Sequence, residues 1–299
     1  MSWLNRSFIT GRRYVFLPQT RLIHLSRPCL KAPQNKEKAT VPAKPPKSET
    51  KNALKLLGRP LGVRQRPTTV ERTRTEKMKD LLDAETRMAQ RRHLIKEAGK
   101  GYFHDLNMTR KNGGKTWIAP NVLIREDKSL YLPNITGKSL DTSVQKHTTT
   151  MCFQKISVIA MLGTQVSEIH TKSFVAPTLQ QYSGHPYFQF IQINLQENLL
   201  KSFLVKLFIS SLRNTVPYEQ QANYLVSAQN MEYLREPLGM TNSRVGYVYL
   251  VDENLKIRWG GCADATPEEA KALLSCTGVL LQRLQENPPT APPTPQGSS

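Results

Sequence analysis

Two short runs of strand-forming residues in positions 244–262 constrain the fold of this chain more than any other feature. Residues 247–251 read YVYLV and are apolar at every position, which is typical of a strand buried on both faces. Residues 255–259 read LKIRW and alternate, which predicts a hairpin partner with one exposed face. The intervening Asp252–Asn254 has turn composition, so the pattern predicts a β-hairpin.

A helix is predicted directly after this hairpin. Thr266 has the residue type of an N-cap, and Pro267 fits the first helical turn. Glu268 and Glu269 follow, near the positive end of the helix dipole. The chain is therefore expected to end in a central strand, an edge strand and a covering helix.

Earlier segments extend this pattern. Apolar runs predict strands at residues 155–162 and 188–195, with a helix between them from residue 163 to about 174. We also predict a strand at residues 130–134, a helix at 199–213, a short strand at 224–226 and a helical turn at 231–235. Strands that alternate with helices indicate a sheet with parallel members and helices on both faces. The predicted fold is α/β: a thioredoxin-like mixed sheet flanked by helices, preceded by a disordered basic arm and one long helix.

The positive charge of the chain is concentrated in its first third. The formal net charge is +19, and residues 1–100 hold 24 Lys and Arg against 8 Asp and Glu. Seven cations, with Ser and bulky apolar residues between them, precede the first acidic residue, Glu37. This composition predicts a mitochondrial presequence at residues 1–35. The alternative is a basic arm that binds nucleic acid.

Composition also predicts the other boundaries. Residues 36–68 are rich in Pro and Lys and are expected to be a disordered linker, and residues 69–100 are expected to be helical. The predicted thioredoxin-like domain covers residues 101–286, and a disordered tail follows at 287–299. The longest apolar run, residues 199–212, contains two lysines and is too short to span a bilayer.

The sequence lacks the usual motifs of catalysis. The first central strand is followed by Gly163, Thr164 and Ser167, with no cysteine where a redox protein of this fold would carry CxxC. Thr164 and Ser167 have the TxxC spacing of a peroxide-reducing site, but serine cannot be a redox nucleophile, so we attribute this TxxS spacing to chance. Cys152, Cys262 and Cys276 are far apart in sequence, and the histidines form no metal-binding pattern. No nucleotide-binding or serine hydrolase motif is present. We therefore predict no enzyme activity, cofactor or metal site, although a site assembled from distant residues would leave no local signature.

Several short motifs resemble the thioredoxin-like assembly factors of mitochondrial ATP synthase. Residues 246–252 (GYVYLVD) and 257–262 (IRWGGC) carry most of the resemblance. The other matching motifs are 101–103 (GYF), 113–115 (GGK), 130–134 (LYLPN) with Gly137, Asn194 with 197–198 (EN), and 238–240 (LGM) with Asn242. One departure is Leu132, where the family commonly has Phe.

The resemblance implies a function but no catalytic residue. It implies a chaperone on the matrix side of the mitochondrial inner membrane, attached peripherally. It further implies binding of newly made subunit 6, the proton-channel subunit, until that subunit joins the ring of subunit 9. No nucleic acid partner is expected.

Two hypotheses concern partner-binding residues. Val205 and Ile209 lie off the main apolar face of the predicted helix 199–213, so they would present an apolar surface to the client unless the sheet and helix 69–98 cover both sides. Arg258 and Trp259 end the predicted edge strand and have residue types favoured at interfaces.

Two other classes of function remain open from the sequence. One is a mitochondrial RNA- or ribosome-binding protein that uses its basic N-terminal part. The other is a degenerate thioredoxin-like redox enzyme. Salt-dependent RNA binding would support the first, and activity that survives replacement of the cysteines would exclude the second.

Overall fold

The computed structural model describes residues 54–70, 75, 82–99, 104–196 and 202–287. Within these ranges, no side chain is described at residues 86, 89, 90, 93, 96–98, 104 and 202–208. The predicted presequence, residues 36–53 of the predicted linker and residues 288–299 of the predicted tail lie outside the described residues.

The described part of the chain alternates short helices with the strands of one sheet. The elements are α1 (Ala84–Ala98), α2 (His104–Asn112), β1 (Thr136–Ser139), β2 (Gln145–His147), α3 (Thr148–Cys152), β3 (Ile156–Leu162), α4 (Gln165–Tyr182), β4 (Phe188–Leu195), α5 (Ser202–Thr215), α6 (Tyr218–Gln221), β5 (Tyr224–Ser227), α7 (Glu232–Arg235), β6 (Tyr247–Val251), β7 (Ile257–Cys262) and α8 (Pro267–Glu286).

The sheet is mixed and has seven strands in the order β2-β1-β5-β4-β3-β6-β7. Strands β3, β4 and β5 are parallel neighbours, whereas β6 is antiparallel to β3 and β7 is antiparallel to β6. The path from β3 through α4 to the parallel β4, then through α5 to the β6–β7 hairpin and α8, is that of a thioredoxin-like domain. The predicted fold class is confirmed.

Helices cover both faces of this sheet. On one face α4 and α8 pack against β3, β6 and β7, with Phe174, Trp259 and Leu273 completely buried between the layers. On the same face, Ile209 of α5 packs with residues of β3 and β5. The other face packs against Cys152 of α3, Leu234 of α7 and Leu61. Strands β3 and β6 are buried at every position, as expected for central strands with apolar side chains on both faces.

Strand β7 has no exposed face, and the prediction of one is wrong. Its six residues are all buried because residues 117–131 lie along its outer edge. The Ile124 amide donates to the Arg258 carbonyl (2.7 Å), and the Ile257 amide donates to the Leu130 carbonyl (2.8 Å). An unpaired edge is a template for aggregation, and here the chain covers its own edge.

The strand predicted at 130–134 is replaced by isolated pairings. Tyr131 alone forms antiparallel bridges, one to Val63 and one to Lys256. The strands of this region come directly afterwards as the hairpin β1–β2, which extends the sheet beside β5. The hairpin was not predicted because its residues, TGKS and QKH, have little apolar character.

Residues 54–66, here called the N-terminal strap, are part of the folded domain. The linker prediction is wrong for them, since Leu61 is completely buried in the main core cluster. Gly260 makes room for this side chain: a Cβ at that position would lie 2.8 Å from Leu61 Cδ1. Backbone hydrogen bonds hold the strap at Ile118, Tyr131 and Pro237.

Helix α1 falls within the predicted helical segment 69–100. Its apolar side chains Met88, Leu94 and Ile95 are all more than half exposed. The described part of this helix is therefore largely solvated. Among the described residues, no helix combines the length and apolar character needed to cross a bilayer.

Candidate functional site at the carboxyl ends of the parallel strands

The loop after β3 and the first turn of α4 form one wall of the candidate site. Thr164 is the N-cap of α4, and its Oγ1 accepts a hydrogen bond from the Ser167 amide (3.1 Å). Ser167 Oγ in turn accepts from the amides of Thr164 (3.0 Å) and Gly163 (2.9 Å). This is a capping box, which satisfies amides that the helix itself leaves unpaired. The TxxS spacing that we attributed to chance therefore has a structural cause.

The loop before β6 is pressed against this helix start. Thr164 Oγ1 donates to the Arg244 carbonyl (3.0 Å). Gly246 makes the approach possible, because a Cβ there would overlap the carbonyl oxygen of buried Ser167. The two segments therefore form a continuous rim at the carboxyl end of β3.

Asn242 fixes the shape of the same loop. Its backbone amide donates to the Tyr247 hydroxyl (2.9 Å), which donates back to the Asn242 carbonyl (2.9 Å). The Asn242 side-chain oxygen accepts from the Arg244 amide (3.0 Å). Burial raises the pKa of Tyr247, so its hydroxyl stays protonated and available as the donor.

Helix α2 supports the loop from outside. The Asp105 carboxylate accepts hydrogen bonds from the Ser243 amide (3.1 Å) and hydroxyl (2.6 Å). The side-chain amide of Asn242 reaches the Gly114 carbonyl (3.4 Å) just after the helix. The segment 113–115, which carries part of the family resemblance, thus helps to hold the rim.

A cavity of about 170 Å³ opens between this rim and the end of β4. Its most buried lining residues include Met161, Met240 and Val245, and its less buried ones include Gln196 and Arg235. Ligands of α/β sheets bind outside the carboxyl ends of the strands, which is where this cavity lies. Small-molecule sites usually measure roughly 300–1,000 Å³, so this cavity suits a side chain of a bound polypeptide better than a cofactor.

Two exposed apolar side chains lie on α4, which begins two residues after the cavity-lining Gly163. Val166 is 49% exposed and Ile169 is 65% exposed, one turn apart on the same face of the helix. We call the cavity and these two side chains the lip. The wall of the cavity includes two almost completely buried methionines, whose side chains are adaptable, and the open surface of the cavity is mainly polar.

The described cysteines are chemically protected. Cys152, Cys262 and Cys276 are all buried and free. Burial raises the pKa of Cys152 to about 12 and that of Cys276 to about 11, and burial also raises the pKa of Cys262. Because the thiolate is the reactive form, none of these thiols is poised for redox chemistry. Among the described residues, no group of three or more His, Cys, Asp or Glu is placed to hold a metal ion.

The family model described as ATP10 protein matches residues 39–280 of the sequence. The chain belongs to the ATP10 family. The resemblance noted from the sequence is confirmed, and the match includes the strap, the lip and the hairpin.

Relatives in the ATP10 family align over most of their length. A protein of Candida glabrata named mitochondrial ATPase complex subunit ATP10 is 31% identical over 81% of this chain and 89% of its own. The Saccharomyces cerevisiae protein of the same name is 30% identical over 74% of this chain and 85% of its own. A probable subunit of that name in Schizosaccharomyces pombe is 25% identical over 75% and 83%.

Among solved structures, the chain is similar to a putative thiol:disulfide interchange protein DsbE from Chlorobium tepidum. The identity is 13%, the TM-score is 0.37, and the alignment covers 50% of this chain and 95% of that one. A DsbF homologue from Corynebacterium diphtheriae is 13% identical with a TM-score of 0.36, over 52% and 90%. The fold assignment rests on the strand order and helix placement described above.

Three of the predicted partner-binding residues are buried. Ile209 is 4% exposed because it packs onto the sheet, so the expected exposed apolar side of α5 is wrong at this position. Arg258 pairs with Asp252 (3.2 Å), and Trp259 is completely buried with its Nε1 donating to the Pro120 carbonyl (2.6 Å). The side chain of Val205 lies outside the described residues.

The observed geometry therefore separates the predicted contact residues from the lip. Arg258 and Trp259 hold residues 120–124 onto β7, and Ile209 packs in the core against β3 and β5. Our sequence analysis did not select Val166 and Ile169. The available signal was that Val166 and Ile169 are apolar residues within and just after the capping motif, which follows a central strand.

Proposed function

We propose that this chain is an assembly chaperone for the membrane sector of mitochondrial ATP synthase. It binds newly made subunit 6 and promotes the association of that subunit with the ring of subunit 9. It acts by binding rather than by catalysis and uses no cofactor. It acts on the matrix side of the inner membrane, where it is a peripheral protein.

Membership in the ATP10 family carries this proposal. The family match spans residues 39–280, and the relatives are named as subunits of the mitochondrial ATPase complex. The specific client, subunit 6, follows from the motif resemblance rather than from any contact in the structure.

The lip supplies a physical basis for holding such a client. A channel subunit consists of apolar helices, and before assembly these need an apolar surface that keeps them from aggregating. Val166 and Ile169 offer exposed apolar area, and the cavity beside them has Met161 and Met240 in its lining. Methionine side chains adapt to different partners, which suits a surface that binds and releases.

The cap at the start of α4 favours a binding function over redox catalysis. A thiol-disulfide protein of this fold requires a reactive thiolate at the start of α4, and Thr164 and Ser167 stand there instead. Both side chains are engaged in hydrogen bonds that hold the helix start. The degenerate redox alternative would therefore need a thiol that is buried elsewhere in the domain.

Site-specific crosslinking tests the proposed contact directly. A photoreactive residue at Ile169 is expected to crosslink to subunit 6 during labelling of mitochondrial translation products. The matched control is Gln180, which is also exposed on α4 but lies three turns further along the helix. Equal crosslinking from both positions, or none from Ile169, would count against the lip as the client contact.

A charge substitution tests the function. In cells lacking the natural protein, a chain with Val166→Asp and Ile169→Asp is expected to fold normally and to fail in subunit 6 assembly, while the catalytic head of the ATP synthase stays intact. Gln165→Asp with Gln180→Asp is the control and is expected to restore assembly. A loss of all mitochondrial translation products would instead favour the RNA- or ribosome-binding alternative.

A further inference from the structure

The outer side of the N-terminal strap is strongly basic. Residues 54–66 contain Lys55, Arg59, Arg64 and Arg66 and no acidic residue. All four side chains are exposed. Because Leu61 is buried and the strap backbone pairs with Ile118 and Tyr131, these cations are displayed from a fixed segment of the domain.

Two exposed apolar side chains border this basic surface. The guanidinium carbon of Arg66 lies 5.9 Å from the ring centroid of Phe153, which is 43% exposed. Lys155 follows two residues later and is also exposed. Near the start of the strap, Leu56 is 59% exposed. We call the exposed cations and apolar residues along the strap, together with Phe153 and its neighbour Lys155, the basic ridge; its members are Lys55, Leu56, Arg59, Arg64, Arg66, Phe153 and Lys155.

In the part of the chain that the structure describes, the cations of the basic ridge form no ion pair, although the Arg59 guanidinium donates a hydrogen bond to the Glu236 carbonyl. Among the residues that the structure describes, no carboxylate lies within ion-pairing distance of any of the five cations. Other cations of the domain do have such partners: Lys115 pairs with Glu269, Lys256 with Glu126 and Arg258 with Asp252. The ridge is therefore a site of concentrated, uncompensated positive charge.

We propose that the basic ridge docks onto an anionic phospholipid surface. Its cations approach the headgroups, and Phe153 and Leu56 enter the boundary between headgroups and acyl chains. The inference rests on the proposed function in one respect, namely that the chain works at a membrane. It adds the surface that makes the contact and the chemistry of the lipid.

The apolar residues favour a membrane over nucleic acid as the partner. Binding of single-stranded nucleic acid relies on successive aromatic rings that stack bases. Phe153 is the one aromatic member of the ridge, and the other apolar member, Leu56, has no ring to stack on a base. A cation cluster flanked by one aromatic and one aliphatic side chain is typical of interfacial membrane contacts.

Vesicle sedimentation of the full chain tests the ridge. The vesicles contain phosphatidylcholine alone or with about one third anionic phospholipid, at about 0.1 M salt, where charge interactions extend about 10 Å. The ridge variant carries Lys55→Glu, Arg64→Glu and Arg66→Glu. The matched control carries Lys172→Glu, Lys271→Glu and Arg283→Glu, exposed cations on the α4 and α8 side of the sheet.

The full chain is expected to bind the anionic vesicles and to bind pure phosphatidylcholine far more weakly. The ridge variant should bind anionic vesicles at least tenfold more weakly, since each cation near such a surface contributes roughly a fivefold factor. The control variant should stay within about threefold, because it changes the net charge equally but at another surface. Phe153→Ala should weaken binding several-fold at unchanged charge.

Three results would overturn the proposal: equal loss in the ridge and control variants, undiminished binding by the ridge variant, or ridge-dependent binding to single-stranded RNA that is tighter than binding to anionic vesicles. The measurement needs no client, so it is independent of the lip. A chain that binds vesicles through the ridge but never crosslinks to subunit 6 would refute the proposed function and leave the ridge standing.

Discussion

Lys115 and Glu269 form an ion pair that is almost completely buried between the segment after α2 and the first turn of α8. The Lys115 ammonium also donates to the Asp264 carbonyl (2.7 Å). The Glu269 carboxylate accepts hydrogen bonds from the amides of Ala119 (2.8 Å) and Thr266 (2.9 Å). This single carboxylate therefore caps α8 and fixes the segment that covers the edge of β7.

Removal of one partner of this pair is expected to be costly. Glu269→Gln leaves the Lys115 ammonium buried without its counter-charge, and losses of about 3–5 kcal/mol are typical when one partner of a buried pair is removed. Glu268→Gln, one residue earlier on the exposed side of the helix, is the control and should change stability by less than about 0.5 kcal/mol. Urea unfolding of each variant measures the difference.

The pair also predicts strong coupling between the two positions. Lys115→Met with Glu269→Gln should cost clearly less than the sum of the two single variants, because the double variant buries no isolated charge. Additive losses in a double-mutant cycle would show that the two side chains stabilise the domain independently and would contradict the ion-pair interpretation.

Because the strap is part of the folded domain, we predict that residues before the sheet contribute to the unfolding free energy of the domain. Leu61→Ala removes a completely buried side chain and is expected to cost about 2–5 kcal/mol of unfolding free energy. Leu56→Ala, at an exposed position of the same strap, should be within about 0.5 kcal/mol of the natural chain. If both variants unfold alike, residues 54–66 are a linker after all and not part of the domain.

Because the cysteines are buried, we predict that their thiols are alkylated slowly in the native chain. With its pKa raised to about 12, the Cys152 thiol has a deprotonated fraction roughly a thousandfold smaller than that of an ordinary thiol at the same pH. Alkylation of the native chain, followed by site-resolved mass spectrometry, should label Cys152, Cys262 and Cys276 only after denaturant is added. Rapid native labelling of any of the three would reopen the redox interpretation.

Much of the sheet could be predicted from local sequence. The run YVYLV is apolar at every position and ISVIAML at every position but Ser157, so both indicate central strands without any knowledge of their neighbours. The N-cap of α8 was also predicted from local sequence: Thr266 forms a capping box with Glu269, as their spacing allows. In these elements the determinants lie within a few residues of each other.

The misplaced features depend on contacts between distant residues. Leu61 is buried because Gly260, far along the chain, leaves room for it, and the Pro- and Lys-rich composition of residues 36–68 as a whole does not indicate this. Alternation in LKIRW predicts Ile257 and Trp259 on one face, but the register of β7 shifts opposite Leu250 and Val251, so these two side chains lie in different core clusters. The segment 117–131 then covers the edge that was expected to be exposed. The cavity of the lip is likewise assembled from segments near residues 161, 196, 240 and 245, which no local pattern connects.

From the burial of His170 we predict that the domain loses stability in mild acid. Its ring nitrogen Nδ1 is buried without a hydrogen-bond partner in the described structure, and burial lowers the pKa of the ring. The nearby Lys115 also lowers this pKa, whereas Asp264 raises it. Below the ordinary His pKa of about 6.5 the unfolded chain therefore binds more protons than the folded one. The free energy of unfolding consequently decreases as the pH is lowered.

Urea unfolding between pH 7.5 and 5.5 measures this effect. His170→Leu should lose less stability than the natural chain across that range, because it removes the titrating ring. Asp264→Asn should lose more, because it removes the charge that favours protonation of His170. Identical pH dependence in all three chains would mean that other groups control the acid stability. The comparison between variants is needed because burial raises the pKa of Asp252 and Glu253, and these carboxyls contribute with the opposite sign.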